Sequence, residues 1–227
     1  MKRLAELGAR YGVGLDALAP ILELQAIDPT ASTAVRAPLE AVDRHVADSL
    51  VALELADVRA ARRIADLGAG AGWPGLALAA ALPQARVALV ESAVRHTRYL
   101  ERAVAAGGLA NVDVVHARAE DWSAGIGAHD VVCARALAAL PVLCEYAAPL
   151  LMETGVLVAW KGAVPEDEAR AGAAAAVILG LEPVEIRVVE PYPEAGRRTL
   201  HVFRKVAATP DRFPRRPGMA VKRPLGT

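Results

Sequence analysis

"DLGAGAGWPG", residues 66–75, sets four glycines and a proline directly behind the apolar run "RRIA". Glycine at this density lets a backbone turn tightly and come close to a ligand. Gly70, Gly72 and Gly75 stand at the spacing GxGxxG, the dinucleotide fingerprint. Asp66 and Gly68 just upstream extend it to DxGxGxGxxG, the commoner form in proteins that bind S-adenosylmethionine. The short match alone is weak, so the surrounding chain has to choose between the two ligands.

From about residue 62 onward, short Val/Ile/Leu runs alternate with Ala-rich stretches, the pattern of βα repeats on a parallel sheet. Strands are predicted at 62–67, 86–90, 112–116, 129–134, 155–160, 184–189 and 199–206. Helices are predicted at about 74–81, 92–106, 141–151 and 165–179, with Pro74 and Pro141 placed for first turns. Only "EPYPEAGRR" separates the last two strands; it reads as a hairpin loop and makes them antiparallel to each other. The expected fold class is α/β: a Rossmann-like, class I S-adenosylmethionine-dependent methyltransferase whose seven-stranded, mostly parallel sheet ends in an antiparallel hairpin. That ending is unusual among dinucleotide enzymes.

Before residue 60 the pattern changes. Leu39, Val42, Val46, Leu50 and Leu53 are spaced to line one helical face, and "ILEL" at 21–24 suggests an earlier helix. After residue 208, "TPDRFPRRPGMAVKRPLGT" carries four prolines and almost no periodicity, so an extended arm is expected. The organisation expected is an N-terminal helical cap (1–60), a methyltransferase domain (61–207) and a basic C-terminal arm (208–227).

Composition narrows the class. The chain of 227 residues suits one domain with a full core. It is 54% hydrophobic, yet its longest apolar run, around "GLALAAAL", is far short of the ~20 residues that cross a bilayer. The N-terminus "MKRLAELGARYG" lacks an apolar h-region. Cys133 and Cys144 form no CxxC, which supports neither a disulfide framework nor a metal site. A cytoplasmic, non-membrane protein is expected, with a monomer as the default.

Net charge is zero, but its distribution is not even. Arg197, Arg198, Arg204, Lys205, Arg212, Arg215, Arg216, Lys222 and Arg223 cluster against the single acid Asp211. Such a segment can displace counterions from a phosphate backbone, or be a solvated tail. Arg95, Arg98 and Arg102 form a second basic stripe along a helix, suited to RNA or to solvent.

The cofactor follows from what flanks the glycine loop. In an open α/β sheet the ligand sits at the carboxyl ends of the strands, where the loop opens a helix N-terminus. Gly68, Gly70 and Gly72 would form that cradle. Glu91, directly after "VALV", is placed to take ribose hydroxyls. "ARAED" at 117–121 follows the third strand, where methyltransferases meet adenine with an acidic side chain and a backbone amide. A pyrophosphate would want more donors than "GAGWPG" offers, since Trp73 is apolar and Pro74 has no N–H. These features favour S-adenosylmethionine.

Several ordered motifs now carry a resemblance: "RHVADSL" (44–50), "DLGAGAGWPG" (66–75), "ESAVRHTRYL" (91–100), "RAED" (118–121), "CARALA" (133–138), "WKG" (160–162), "RRTLHVFRK" (197–205) and "TPDRFPRRPGMAVKRPL" (209–225). From about residue 33 onward the chain resembles the RsmG, or glucose-inhibited division protein B, family, bacterial methyltransferases acting on N7 of one guanine in 16S ribosomal RNA. The family's Trp-Asn pair and Asn-Leu-Thr ahead of "RHxxDS" are missing, and "ELQAIDPTASTAVRAP" keeps only Thr33, Arg36 and Pro38. The resemblance implies cofactor contacts at Gly68, Trp73, Ala119, Glu120 and Arg135. The partner it implies is 16S ribosomal RNA or the small ribosomal subunit.

The chemistry so implied needs no general base, because the N7 lone pair of guanine is free at neutral pH and attacks a sulfonium methyl in line. Acceleration then comes from positioning and electrostatics. Arg135 and Lys161 are the candidates for that work, one of them donating to guanine O6 while N7 stays open and the extruded base is held on its other edge. His45, Asp48 and Ser49 share one helix flank, whereas a hydrolytic triad needs side chains converging from separate elements, so that reading is rejected; His45 and Asp48 are read as capping the cofactor pocket or touching substrate. Arg198, Arg212, Arg215, Arg216 and Lys222 are candidate RNA contacts. The competing readings are a methyltransferase on a small molecule or protein, a catalytically silent ribosome-assembly factor and, last, an NAD-dependent oxidoreductase.

Overall fold

Seven short apolar runs pair into one sheet; the structure, a computed structural model, describes residues 2–226. The strands are β1 (Arg63–Leu67), β2 (Arg86–Glu91), β3 (Val112–His116), β4 (His129–Arg135), β5 (Leu151–Lys161), β6 (Leu181–Val189) and β7 (Arg198–Lys205). Their order is β3-β2-β1-β4-β5-β7-β6. β1 to β5 are mutually parallel, and β7 runs antiparallel to both β5 and β6. The order reverses between β1 and β4, and in such sheets ligands bind outside the carboxyl ends at that point. Register then decides what meets there: Leu67 pairs Ala134, Arg135 pairs Trp160, and Lys161 pairs Thr199. The carboxyl ends of β4 and β5 and the start of antiparallel β7 therefore bring Arg135, Lys161 and Arg198 to one end of the sheet.

Helices cover both faces. α1 (Lys2–Tyr11), α2 (Leu18–Ile27), α6 (Gly75–Ala81) and α7 (Val94–Gly107) share one core with the sheet, and α8 (Leu140–Ala147) and α9 (Glu166–Ile178) share the other. Between α2 and β1 the chain runs through α3 (Pro38–Ala41), a π-helical stretch Val42–Ala47, α4 (Asp48–Leu50), a 3-10 turn Val51–Glu54 and α5 (Ala56–Ala60). Val42, Val46, Leu50 and Leu53 are buried as their spacing predicts. Leu39 is not: at 74% exposure it lies in the first turn, ahead of the part of the helix that meets the core. The predicted helix 141–151 also ends early, at Ala147, because Leu151 already pairs with His129 as the start of β5.

The C-terminal segment corrects a larger expectation. It is not an extended arm. Phe213 and Ala220 are buried in the α8/α9 core, and Met219–Lys222 forms a short helix, α10. Thr209 Oγ1 donates to the Leu179 carbonyl and accepts from Lys205 Nζ. Arg215 makes a two-pronged ion pair with Glu145 at 2.7 and 2.5 Å, and Glu145 is 1% exposed. Sequence periodicity misses this packing because the segment docks through single anchor residues rather than a repeating face. Arg212, Arg216, Lys222 and Arg223 remain at the surface.

Breaking a buried ion pair on one side strands the other charge, which costs about 3–5 kcal/mol. Arg215→Met is expected to lower stability by about 3 kcal/mol in urea denaturation, and adding Glu145→Gln should recover most of it. A single variant as stable as wild type would mean that Glu145 finds another partner.

Candidate active site

The glycine loop is built around one carboxylate. Asp66, at the end of β1 and 1% exposed, accepts the Gly75 N–H at 2.8 Å and so fixes the start of α6. The approach is so close that a Cβ at Gly75 would lie 2.2 Å from Leu89 Cδ2 and 2.8 Å from Asp66 Oδ2. Burial pushes the Asp66 carboxyl up to about 7, against the opposing effects of the Gly75 N–H and Arg135. Gly68 has φ +65°, and a Cβ there would meet Leu137 Cδ1 at 2.6 Å. Glu91 closes the far side: its Oε2 accepts Gly70 N–H at 3.0 Å and its Oε1 accepts Ala93 N–H at 2.8 Å.

Gly68, Ala119, Glu120, Leu137 and Tyr146 surround a cavity of about 100 Å³ beside the loop. The docked C-terminal segment forms part of its setting, since Gly218 N–H donates to Glu120 Oε1 at 3.0 Å. The loop after β4 arches over Gly68, with Ala136 at φ 54°, a conformation that costs a non-glycine residue energy and clusters at functional sites. Trp73 is placed elsewhere. Its indole is buried, donates to Gln25 Oε1 at 2.8 Å and stacks on His45 with ring centres 5.7 Å apart, so the ring does not line this cavity.

A second cavity of about 520 Å³ opens along the ends of β4 and β5, in the ~300–1,000 Å³ range of ligand sites. It gathers His45, Asp48, Arg135, Lys161 and Arg198, five residues singled out in the sequence. Arg135 donates to Asp48 Oδ2 at 2.7 Å, and Arg198 Nε lies 3.3 Å from Asp48 Oδ1. Arg135 Nη2 is also 3.1 Å from His45 Nδ1. A guanidinium only donates, so Nδ1 accepts and the His45 proton sits on Nε2, which reaches Thr33 Oγ1 at 2.9 Å. Burial, then the Arg135 charge, holds the His45 imidazole down at about 4. The π-helical turn carrying His45, a rare form found often at functional sites, delivers it between Trp73 and Arg135.

Glu168, Trp160 and Tyr192, which sequence reasoning did not single out as site residues, complete this wall. Lys161 Nζ pairs with Glu168 Oε1 at 2.6 Å and donates to the Ala138 carbonyl at 3.1 Å. Trp160 Nε1 donates to the Asp48 carbonyl at 2.8 Å, and Tyr192 lines the opening. Glu168 stands in the acidic first turn of α9, which reads in sequence only as complementing the helix dipole. Of the basic stripe on α7, Arg102 pairs with Asp28 at 2.7 Å and Arg95 donates to the Pro29 carbonyl, tying α7 to the loop after α2. Arg212, Arg216 and Lys222 lie outside the cavity, and Arg215 is held by Glu145. Among the described residues no group of three His, Cys, Asp or Glu could hold a metal, and no helix is long and apolar enough to cross a membrane.

The sequence matches the family model described as rRNA small subunit methyltransferase G over residues 30–196. It is 44% identical over 196 residues to the ribosomal RNA small subunit methyltransferase G of Rubrobacter xylanophilus, a match covering 84% of this chain and 75% of that protein. The protein of the same name from Bacillus subtilis is 35% identical over 196 residues, covering 85% and 82%. A predicted O-methyltransferase from Agrobacterium tumefaciens superposes with a TM-score of 0.55 at 27% identity, over 73% of this chain and 81% of that one. A variant of the 16S rRNA (adenine(1408)-N(1))-methyltransferase from Catenulisporales acidiphilia shares the fold at a TM-score of 0.54 and 19% identity, over 68% and 89%.

The His45 shift has a sign. The unfolded chain takes up a proton near the ordinary value of 6.5 while the folded protein resists until about 4, so this contribution to stability is whole above pH 6.5 and is lost as pH falls to 4. Between those limits the urea midpoint of wild type should fall more steeply than that of His45→Gln. Parallel curves would show that His45 titrates normally.

Proposed function

The chain belongs to the rRNA small subunit methyltransferase G family, and on that footing we propose that it transfers a methyl group from S-adenosylmethionine to N7 of a specific guanine in 16S ribosomal RNA. The observation that carries this reading is the family match, which spans the ends of β4 and β5 that carry Arg135 and Lys161. A small-molecule substrate is disfavoured by the surface cations Arg212, Arg216, Lys222 and Arg223, suited to phosphates.

The residues around the loop fit the cofactor chemically. Glu91 would receive the ribose hydroxyls, each carboxylate oxygen keeping a lone pair beyond the N–H it already accepts. Glu120 and the Ala119 backbone would face adenine, with Gly68, Gly70 and Gly72 giving the backbone close approach. A cavity of about 100 Å³ is smaller than such a ligand needs, so Leu137 has to turn off Gly68 to admit it. Trp73 serves this site through His45 rather than by direct contact of its ring. When bound, S-adenosylmethionine supplies an electrophilic sulfonium methyl.

Everything else is done by positioning. The guanine N7 lone pair needs no proton removed, so a neutral His45 has no acid–base work; its Nδ1 instead orients the Arg135 guanidinium. Asp48, facing both Arg135 and Arg198, holds those two cations apart at the mouth of the larger cavity. Arg135 or Lys161 donates to O6 and leaves N7 open. Residues 1–60 act as a cap over the body at 61–207, and 208–227 contribute the outlying phosphate contacts. The expected state is a monomer, and a ribosomal substrate would be met in the cytoplasm.

Incubation with labelled S-adenosylmethionine and small-subunit particles or stripped RNA should place label in 7-methylguanosine. Label in another nucleoside would refute the N7 assignment, and no transfer to either would favour the assembly-factor reading. Arg135→Ala is expected to lower kcat about 100-fold, the usual cost of one transition-state donor. Neutralising Arg212, Arg216 and Lys222 together should flatten the salt dependence of RNA binding, by ~0.7 in the log–log slope for each single-stranded phosphate that is no longer neutralised. An unchanged slope would mean that these cations are only solvated.

A further inference from the structure

Two ion pairs line the larger cavity, and they are not equivalent. In the Arg135–Asp48 pair Oδ2 accepts from Arg135, while Oδ1 is buried away from the cavity's solvent and lies 3.3 Å from Arg198 Nε as an ion pair without a hydrogen bond. In the Lys161–Glu168 pair one oxygen does all the holding: Oε1 takes Lys161 Nζ at 2.6 Å and the Leu140 N–H at 3.0 Å. Among the described residues no donor meets Glu168 Oε2, and the residue borders the cavity. Lysine and glutamate side by side therefore present a donor followed by a free acceptor. The Watson–Crick edge of guanine asks for that order, O6 accepting and then N1–H and the 2-amino group donating. Adenine offers a donor first and an acceptor second, and meets this pair with both contacts reversed.

Resting on the N7 reading above, we propose that Glu168 determines base specificity: its Oε2 accepts from N1–H and the 2-amino group of the extruded guanine while Lys161 Nζ donates to O6. Gripping the base on this edge leaves N7, on the neighbouring Hoogsteen edge, free for the methyl. It also explains how an enzyme that cannot touch N7 still recognises guanine. Glu168→Gln keeps the size of the side chain and an acceptor for the Leu140 N–H, but turns an NH₂ toward the donors of the base.

The test uses the full chain and 16S RNA assembled by ligation, with guanosine or inosine at the target, in small-subunit particles. Inosine keeps N7, O6 and N1–H and lacks only the 2-amino group. Wild type should favour guanosine by roughly 10- to 100-fold in kcat/KM, the range for losing a hydrogen bond to a charged group. In Glu168→Gln that ratio should fall to near one. A wild-type ratio near one overturns the proposal without any variant, so a misfolded variant does not rescue it. An unchanged ratio in a folded Glu168→Gln overturns it too, since a glutamate that only props Lys161 would slow both substrates alike. In either case 7-methylguanosine made by wild type leaves the N7 reading standing; no transfer to guanosine RNA removes both.

Discussion

A carboxylate shut away from water at the end of β1 governs the layout of the site. Asp66 draws the first N–H of α6 so near the sheet that position 75 has no space for a side chain. The loop between them must then reverse within a few residues, which calls for positive φ at Gly68, Gly70 and Gly72. Its bare backbone leaves the floor of the neighbouring cavity open enough for Leu137 to settle into. Among the described residues no cation pairs directly with Asp66, and Arg135 bears on it from the next strand. Arg135, which lines the larger cavity, thus acts electrostatically on the base of the glycine loop.

Asp48 plays the matching part for the N-terminal layer. It meets Arg135 at the end of β4 and Arg198 at the start of β7, while its backbone carbonyl receives the Trp160 indole from β5. Three strands are tied to one helical turn, and His45 is wedged between Trp73 and Arg135 as a result. The helices before the sheet therefore complete the larger cavity as much as they cover the core.

The sheet was largely readable from sequence for a physical reason: strands buried on both faces are short unbroken apolar runs, and "RIADL", "RVALVE" and "HDVVCAR" each announce themselves. The glycine loop was readable because its backbone conformation restricts the residue type. Partners distant in sequence were not. Nothing around Glu145 points seventy residues ahead to Arg215, and Glu168 looks like any acid in a first helical turn. The π-helical stretch is likewise invisible to a 3.6-residue period, although His45 within it and Asp48 directly after it stand out by type. The inward orientation of the Trp73 ring, toward Gln25 and His45, is also not legible from its place in the loop.

The docking of residues 213–220 against Glu145 and Glu120 has a bearing on how the protein comes into being. Ribosomes deliver a chain from its N-terminus, so every strand and the whole glycine loop emerge before this segment does. Until Arg215 arrives, Glu145 lacks its cation, and until Gly218 arrives, Glu120 lacks its backbone donor. A nascent chain can thus finish its sheet and still have an incomplete wall beside the smaller cavity. The stretch that supplies Arg215 and Gly218 completes this wall only after the sheet and the glycine loop have left the ribosome.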